Sequence, residues 1–285
     1  MKINTPYITR LHPITPIELR EISELQYTEY KANCELITKF DYYQRRLREI
    51  ELNIKAFFEV KEYYTDLLLK NDSLKIENDF KREGFIDLNR TFINIITSFR
   101  SFTEHCEKKV IKIFGEESKE FLEFKTVLRN LHSKNLVYKL FDALRNYSVH
   151  VGYPIEFVNF DKIKFDFTGQ DCWFEVGIFF SKAKFQENEA IRNKLKTDMN
   201  LLEDNTAVEP LINKLMPIVY VILKDFIRIA KKEYISAANE ILKLSEEVGF
   251  SNIGLTKSVI NRYRIDGKTI IIPFSTAKEL IELAT

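Results

Sequence analysis

The chain has 285 residues, with 43 Lys and Arg against 42 Asp and Glu and a formal charge of +1. That near-balance excludes a strongly basic nucleic-acid coat but leaves room for a local basic patch, and the length suits one large domain or two small ones. Glycine and proline are scarce, at 8 and 7 copies, a composition that favours long helices over a sandwich of short strands.

Thr15-Pro16-Ile17-Glu18 predicts a helix start, with Thr15 as cap, Pro16 at the first helical position and Glu18 closing a capping box. No further glycine or proline occurs before Gly84, so the stretch to about Leu69 is expected to be one very long helix or two in series around Cys34. Asp72-Ser73 begins a polar break. Asp87 is expected to cap a second helix ending at Gly115, whose Phe92, Ile95, Ile96, Phe99 and Phe102 recur as a buried face requires. Glu116 to Leu131 reads as a third helix. Ser133 or Asn135 starts a fourth, which holds Leu136, Leu140, Phe141 and Leu144 and stops near His150. Gly152 suits a left-handed cap there, and Pro154 blocks continuation.

The pattern then changes. Phe157 to Phe167 and Cys172 to Phe180 are rich in β-formers around Thr168-Gly169-Gln170-Asp171, which predicts a β-hairpin at about 155–182. Val208 to Ala230 and Tyr234 to Val248 return to helical period, with Pro210 at a start and Pro217 as a kink or restart. Asp266-Gly267 between Asn261–Ile265 and Lys268–Ile272 signals a second hairpin, and Thr276 caps a last short helix. The expected fold is mainly α: an antiparallel helical bundle over residues 1–248 with a β-hairpin excursion, then a small β-hairpin–helix tail over 249–285.

Three cysteines, Cys34, Cys106 and Cys172, have no metal-ligand spacing and are odd in number, as in a reduced, cytoplasmic protein. The N-terminus lacks an apolar leader. The longest apolar run, Leu215 to Leu223, is less than half of the ~20 residues that span a membrane. A cytoplasmic location and no membrane partner are expected.

The chemistry concentrates at Arg145-Asn146-Tyr147-Ser148-Val149-His150, just before Gly152-Tyr153-Pro154. Histidine moves a proton near neutral pH, and arginine holds charge that builds on a phosphate. Arg100 and His105 repeat the spacing, so context separates the two pairs. On an undistorted helix, residues five apart differ by about 140° in direction. A loosened last turn, or a neighbouring subunit, is then needed to bring Arg145 and His150 together. The bland alternative is that Arg145 pairs with Asp142 while His150 only caps the helix.

Arg145, Asn146 and His150, before Gly-x-Pro on a helix of a mostly helical chain, resemble the motif of the HEPN superfamily (higher eukaryote and prokaryote nucleotide-binding). The resemblance covers about residues 16–154. It implies an antiparallel helical bundle, commonly a homodimer, and in many members a metal-independent ribonuclease of toxin, abortive-infection or antiviral defence systems. It implies that the RNA 2′-hydroxyl attacks the adjacent phosphorus, with His150 as general base or acid and Arg145 stabilising the transition-state charge. Asn146 would position Arg145 or the phosphate. RNA is the implied partner, with a regulatory partner or antitoxin as a further one, and no cofactor is implied. The second reading is a non-catalytic helical interaction or nucleotide-binding module. Some HEPN toxins carry a modified tyrosine two positions after the histidine; here Tyr153 stands three after His150, a departure from that pattern.

Supporting residues fall on the second helix. Asn94, Ser98, Ser101 and His105 form a polar stripe that faces either the fourth helix or solvent, flanked by an Arg100–Glu104 pair. Tyr147 adjoins the motif. Arg45, Arg46 and Arg48, and Lys108, Lys109 and Lys112, are candidate phosphate guides or ordinary exposed charges. Asn261-Arg262-Tyr263-Arg264 interleaves basic and aromatic side chains, for base stacking or as an edge strand. Trp173, Phe174, Phe179 and Phe180 are expected in the core or at a dimer contact.

Overall fold

Ser23 starts the first helix. Its Oγ accepts from the Gln26 N–H at 3.1 Å, and the Gln26 Oε1 accepts from the Ser23 N–H at 3.0 Å, a reciprocal capping box. The computed structural model describes residues 6–11, 17–70, 78–160, 176–249, 253–261 and 264–284. Ahead of Ser23 lie two antiparallel strands, β1 (Pro6–Arg10) and β2 (Ile17–Glu21). The helix start expected at Thr15 is thus corrected: Thr15 and Pro16 lie outside the described residues, and Ile17 and Glu18 open a strand. The backbone of this segment finds partners in a sheet, which outweighs the local capping signature.

The chain continues through α1 (Glu24–Lys70), α2 (Asn78–Phe114), α3 (Lys119–Lys134), α4 (Leu136–His150), β3 (Phe157–Asn159), β4 (Gly177–Ser181), α5 (Lys182–Glu187) and α6 (Glu189–Leu195). A 3-10 turn over Lys196–Leu201 leads to β5 (Asn205–Ala207), α7 (Glu209–Asn213), α8 (Leu215–Ile229), α9 (Lys231–Val248), β6 (Ile253–Asn261), β7 (Arg264–Ile271) and α10 (Phe274–Ala284). The protein is mainly helical with small antiparallel sheets, as expected. No helix of the described residues is long and apolar enough to cross a membrane.

Helix α1 runs unbroken past the buried Cys34. The polar break expected at Asp72-Ser73 lies outside the described residues. Helix α2 starts nine residues before the expected cap Asp87, and encloses both Gly84 and Asp87. Glycine is accommodated there for a packing reason: a Cβ on Gly84 would lie 2.6 Å from Phe160 Cζ and 3.2 Å from Tyr64 Cδ1. Asp87 accepts instead from the Tyr64 hydroxyl at 3.0 Å. Gly115, at φ 95°, ends α2. Ser118 caps α3, and Asn135 caps α4 by accepting from the Val137 and Tyr138 N–H groups.

Packing divides the chain into two compact units, residues 46–223 and residues 1–45 with 224–285, with boundaries inside α1 and α8. In the unit of residues 46–223, α2 packs on α3 and α4, and α4 packs on α6. Phe92 sits at its centre, in ring contact with Phe57, Phe141 and Phe180. The expected hairpin is present as β3 and β4, paired Phe157↔Phe179; the turn expected over 168–171, with Trp173 and Phe174, lies outside the described residues. Strand β5 adds a third strand that sequence reading missed, giving the order β3-β4-β5. Pro210 lies in the first turn of α7 and Pro217 in that of α8, so the helix restarts near Lys214 and does not kink.

In the other unit the sheet order is β2-β1-β6-β7. The Asp266-Gly267 turn is corrected: Asp266 pairs with Val259 and Gly267 with Ser258 inside the β6–β7 ladder. The ladder runs on to the Asn261↔Arg264 pair, and residues 262–263 lie outside the described residues. This register gives a longer ladder, with backbone hydrogen bonds that a turn at Asp-Gly would forgo. Residues 253–271 therefore share a sheet with residues 6–21, and the units divide at 45/46 and 223/224, where the expected tail began at 249. Phe40, Tyr43, Phe226 and Tyr234 form the aromatic core here.

Candidate functional site

Helix α4 buries Leu140, Phe141 and Leu144 and carries the motif on its last turns. Arg145 and Tyr147 are half-buried, while Asn146 and His150 are exposed. Arg145 Nη1 donates to Asn146 Oδ1 at 3.2 Å, and Ser148 Oγ donates to the Arg145 carbonyl at 2.8 Å. Among the described residues, no carboxylate engages Arg145 and no hydrogen bond or ion pair engages the His150 ring. Arg46, Arg48, Arg90 and Arg100 differ: each holds a carboxylate, at 2.7, 2.7, 3.2 and 2.7 Å.

The last turn of α4 is not loosened. The Val151 N–H reaches the Tyr147 carbonyl at 2.8 Å, a regular helical bond, and the Gly152 N–H reaches the same oxygen at 3.2 Å. Arg145 and His150 therefore point about 140° apart around one helix. Gly152 takes no left-handed cap; among the described glycines only Gly115 and Gly249 have positive φ. The exit is fixed from α2. Asn89, fully buried, accepts from the Ile155 N–H at 2.9 Å and donates to the Ile155 carbonyl at 3.1 Å. Four residues earlier on α2, Phe85 meets the Tyr153 ring edge-on at 5.5 Å. Val149, Val151 and Tyr153 stay exposed, at 58%, 61% and 47%, around His150. Burial pushes the Tyr147 phenol above its ordinary value, helped by the Glu156 charge and opposed by Lys184.

The Arg145–Asp142 pair is corrected. Asp142 is taken by Arg100, at 2.9 Å from α2, and by Lys194 of α6, with His132 of α3 at 3.7 Å. Burial alone would raise its pKa. His132, Lys194 and Arg100 together outweigh that and hold it well below the usual carboxylate range. Burial would lower Arg100, but Glu104 and Asp142 raise it above its ordinary value. The Arg100–Glu104 pair is present as expected, at 2.7 Å. A cleft of about 260 Å³ opens beside it, lined by Arg100, Glu104, Lys125, Arg129, His132 and Tyr138. Burial pushes the Tyr138 hydroxyl up to about 12, against the lowering effect of Thr103 and Arg100. Sequence reading missed His132 and Lys194 here, because nothing local marks a residue of α6 as the partner of Asp142.

The polar stripe of α2 does not meet the motif. Asn53 of α1 donates to Ser98 Oγ at 3.0 Å and to the Asn94 carbonyl at 3.3 Å. Ser98 is buried and donates to the Ile95 carbonyl; Ser101 and His105 are half-buried. Among the described residues, no hydrogen bond joins any of the four to Arg145, Asn146 or His150. A second cleft, of about 250 Å³, lies between α1 and α2.

Of the other candidates, Arg45 pairs with Asp41, Arg46 with Glu49 and Arg48 with Glu51, so the carboxylates of α1 offset these charges. Lys108 and Lys112 are exposed and Lys109 is half-buried. Arg262 and Tyr263 lie outside the described residues. Among the described residues, no group of three or more His, Cys, Asp and Glu is placed to hold a metal ion. Compared with protein-family models, curated proteins and solved structures, the chain matches none.

Proposed function

We propose that this protein is a metal-independent endoribonuclease of the HEPN type, acting on RNA as a homodimer in a toxin or phage-defence setting. The observation that carries the reading is at the end of α4: a guanidinium held by a neutral amide and by no carboxylate of the described residues, one turn from an exposed imidazole. An arginine in that state keeps its charge and its fork for a phosphate. His150 moves the proton of the attacking 2′-hydroxyl or of the leaving oxygen. Arg145 stabilises charge on the pentacoordinate phosphorus, and Asn146 orients it.

One chain keeps the two side chains on different faces of α4, so the site is composite. Two copies pair through the exposed apolar residues that flank His150, and Arg145 of one copy joins His150 of the other. A regulatory partner or antitoxin would act by covering the same patch. The test is cleavage of mixed RNA in EDTA by wild type, Arg145→Ala and His150→Ala. Loss of cleavage in both variants, with 2′,3′-cyclic phosphate ends on the wild-type products, is expected. Equal cleavage by all three, or no cleavage of any RNA by wild type, overturns the reading.

The regular end of α4 favours a second reading. If no twofold mate unites the pair, the chain is a non-catalytic helical interaction or nucleotide-binding module. RNA or nucleotide binding without cleavage, undiminished in His150→Ala, distinguishes it.

A further inference from the structure

The cleft between α1 and α2 lies apart from the α4 motif and is built differently. Its walls carry an exposed aromatic ring, two side-chain amides and a neutralised ion pair. Tyr63 is 58% exposed and packs edge-on against Tyr64 at 5.2 Å. Tyr64 is itself fixed, buried among Phe80 and Phe160 with its hydroxyl donated to Asp87. The Tyr63 ring is thus presented from a rigid turn of helix.

The amides retain hydrogen-bonding capacity. Asn53 uses its Nδ2 on Ser98 and on the Asn94 carbonyl, which leaves its Oδ1 as an acceptor. The Asn94 side chain is exposed, and no hydrogen bond engages it among the described residues. Among the described residues the one lining cation, Arg90, is held by Asp87 through Nε and Nη2 at 3.3 and 3.2 Å. Glu59 adds a second carboxylate, itself paired with Lys55 at 3.4 Å, so among the described residues the lining offers a phosphate no unpaired cation. What fits is a neutral, flat group with donors and acceptors along its edge. The volume, about 250 Å³, falls below the ~300–1,000 Å³ of drug-sized pockets and suits a fragment as small as one base.

We propose that this cleft seats one unpaired nucleobase of an RNA, stacked on Tyr63 and met at its edge by the Asn94 and Asn53 amides. Aromatic stacking accepts any base, and amide donors and acceptors complement base edges. The inference deepens the ribonuclease reading and rests on it for the choice of RNA. It assigns base contact to α1 and α2 and phosphate chemistry to α4.

The experiment is an NMR titration of the whole protein with adenosine, guanosine, cytidine and uridine, with free ribose as control. At millimolar concentration, at least one nucleoside is expected to shift the amide signals of Tyr63 and Asn94, and ribose none. Tyr63→Ala weakens that binding about tenfold or more, Tyr63→Phe retains it, and Asn94→Ala changes which nucleoside binds best. Tyr63 is exposed, so an unchanged melting temperature confirms that the variants fold. No nucleoside binding by wild type, equal binding by Tyr63→Ala, or ribose binding as tightly as the nucleosides overturns the proposal. RNA cleavage by wild type and His150→Ala, measured beside it, separates the failures. Cleavage without nucleoside binding removes this cleft and leaves the ribonuclease. Tyr63-dependent binding without cleavage does the reverse.

Discussion

Arg100 Nη1 donates to Asp142 Oδ1 at 2.9 Å, joining α2 to α4 one turn before the motif. That bond takes the carboxylate that stands three residues before Arg145 and leaves Arg145 with the Asn146 amide. The same carboxylate also holds Lys194, so one half-buried anion joins three helices.

Removing that anion should be costly. Asp142→Asn leaves Lys194 without its counter-charge and Arg100 with Glu104 alone, both in half-buried places, and about 1–3 kcal/mol of stability is expected to be lost. Urea unfolding at neutral pH measures it. The folded pKa is depressed, so the contribution is present above the unfolded value of about 3.9 and is lost as pH falls through and below it. Wild type should lose stability on acidification through this window more steeply than Asp142→Asn.

Gly84→Ala tests the helix–ring contact. Alanine is the better helix former by about 1 kcal/mol. Its Cβ would meet Phe160 Cζ at 2.6 Å, however, in a packed aromatic cluster. The clash should prevail, with a net loss of about 1–2 kcal/mol and a lower melting temperature. A rise in melting temperature would contradict the packing described.

Asn89→Ala removes both bonds to Ile155 and one to the Phe85 carbonyl. It leaves buried backbone groups unsatisfied, at a cost of about 2–3 kcal/mol. Hydrogen exchange should speed up at the Ile155 amide before it does in the centre of α2.

Arg145→Ala and His150→Ala should each melt within about 0.5 kcal/mol of wild type, since neither breaks an ion pair of the described residues. Mixed as equal parts of the two variants and allowed to exchange subunits, they should regain about a quarter of wild-type cleavage. Half the dimers are then mixed, and each has one intact composite site. No recovery would place both residues of a site in a single copy.

Helices were readable where their signals are local. Asn135 caps α4 through its own neighbours, and Gly115 closes α2 through its own backbone freedom. The N-terminal strands were not, because the partner of Ile8 is Leu255, far along the chain, while Thr15-Pro16-Ile17-Glu18 imitates a helix start. Asp266-Gly267 misled for a related reason: a turn signal competes with ladder length, and the ladder prevailed. At the candidate site, the helix and its stop could be read from the sequence. The partner of Asp142 could not, since same-helix spacing favours Arg145 and only the packing of α2 beside α4 brings Arg100 there.

The pairing of Ile8 with Leu255 also orders events during synthesis. Residues 46–223, with the described strands and helices of their unit, are synthesised before the segment that β1 needs. The inner unit can settle first, while the opening strand waits with an unpaired edge through more than two hundred peptide bonds. A ribosome stalled before β6 would leave a folded inner unit trailing a sticky ribbon, a natural target for a chaperone or a protease.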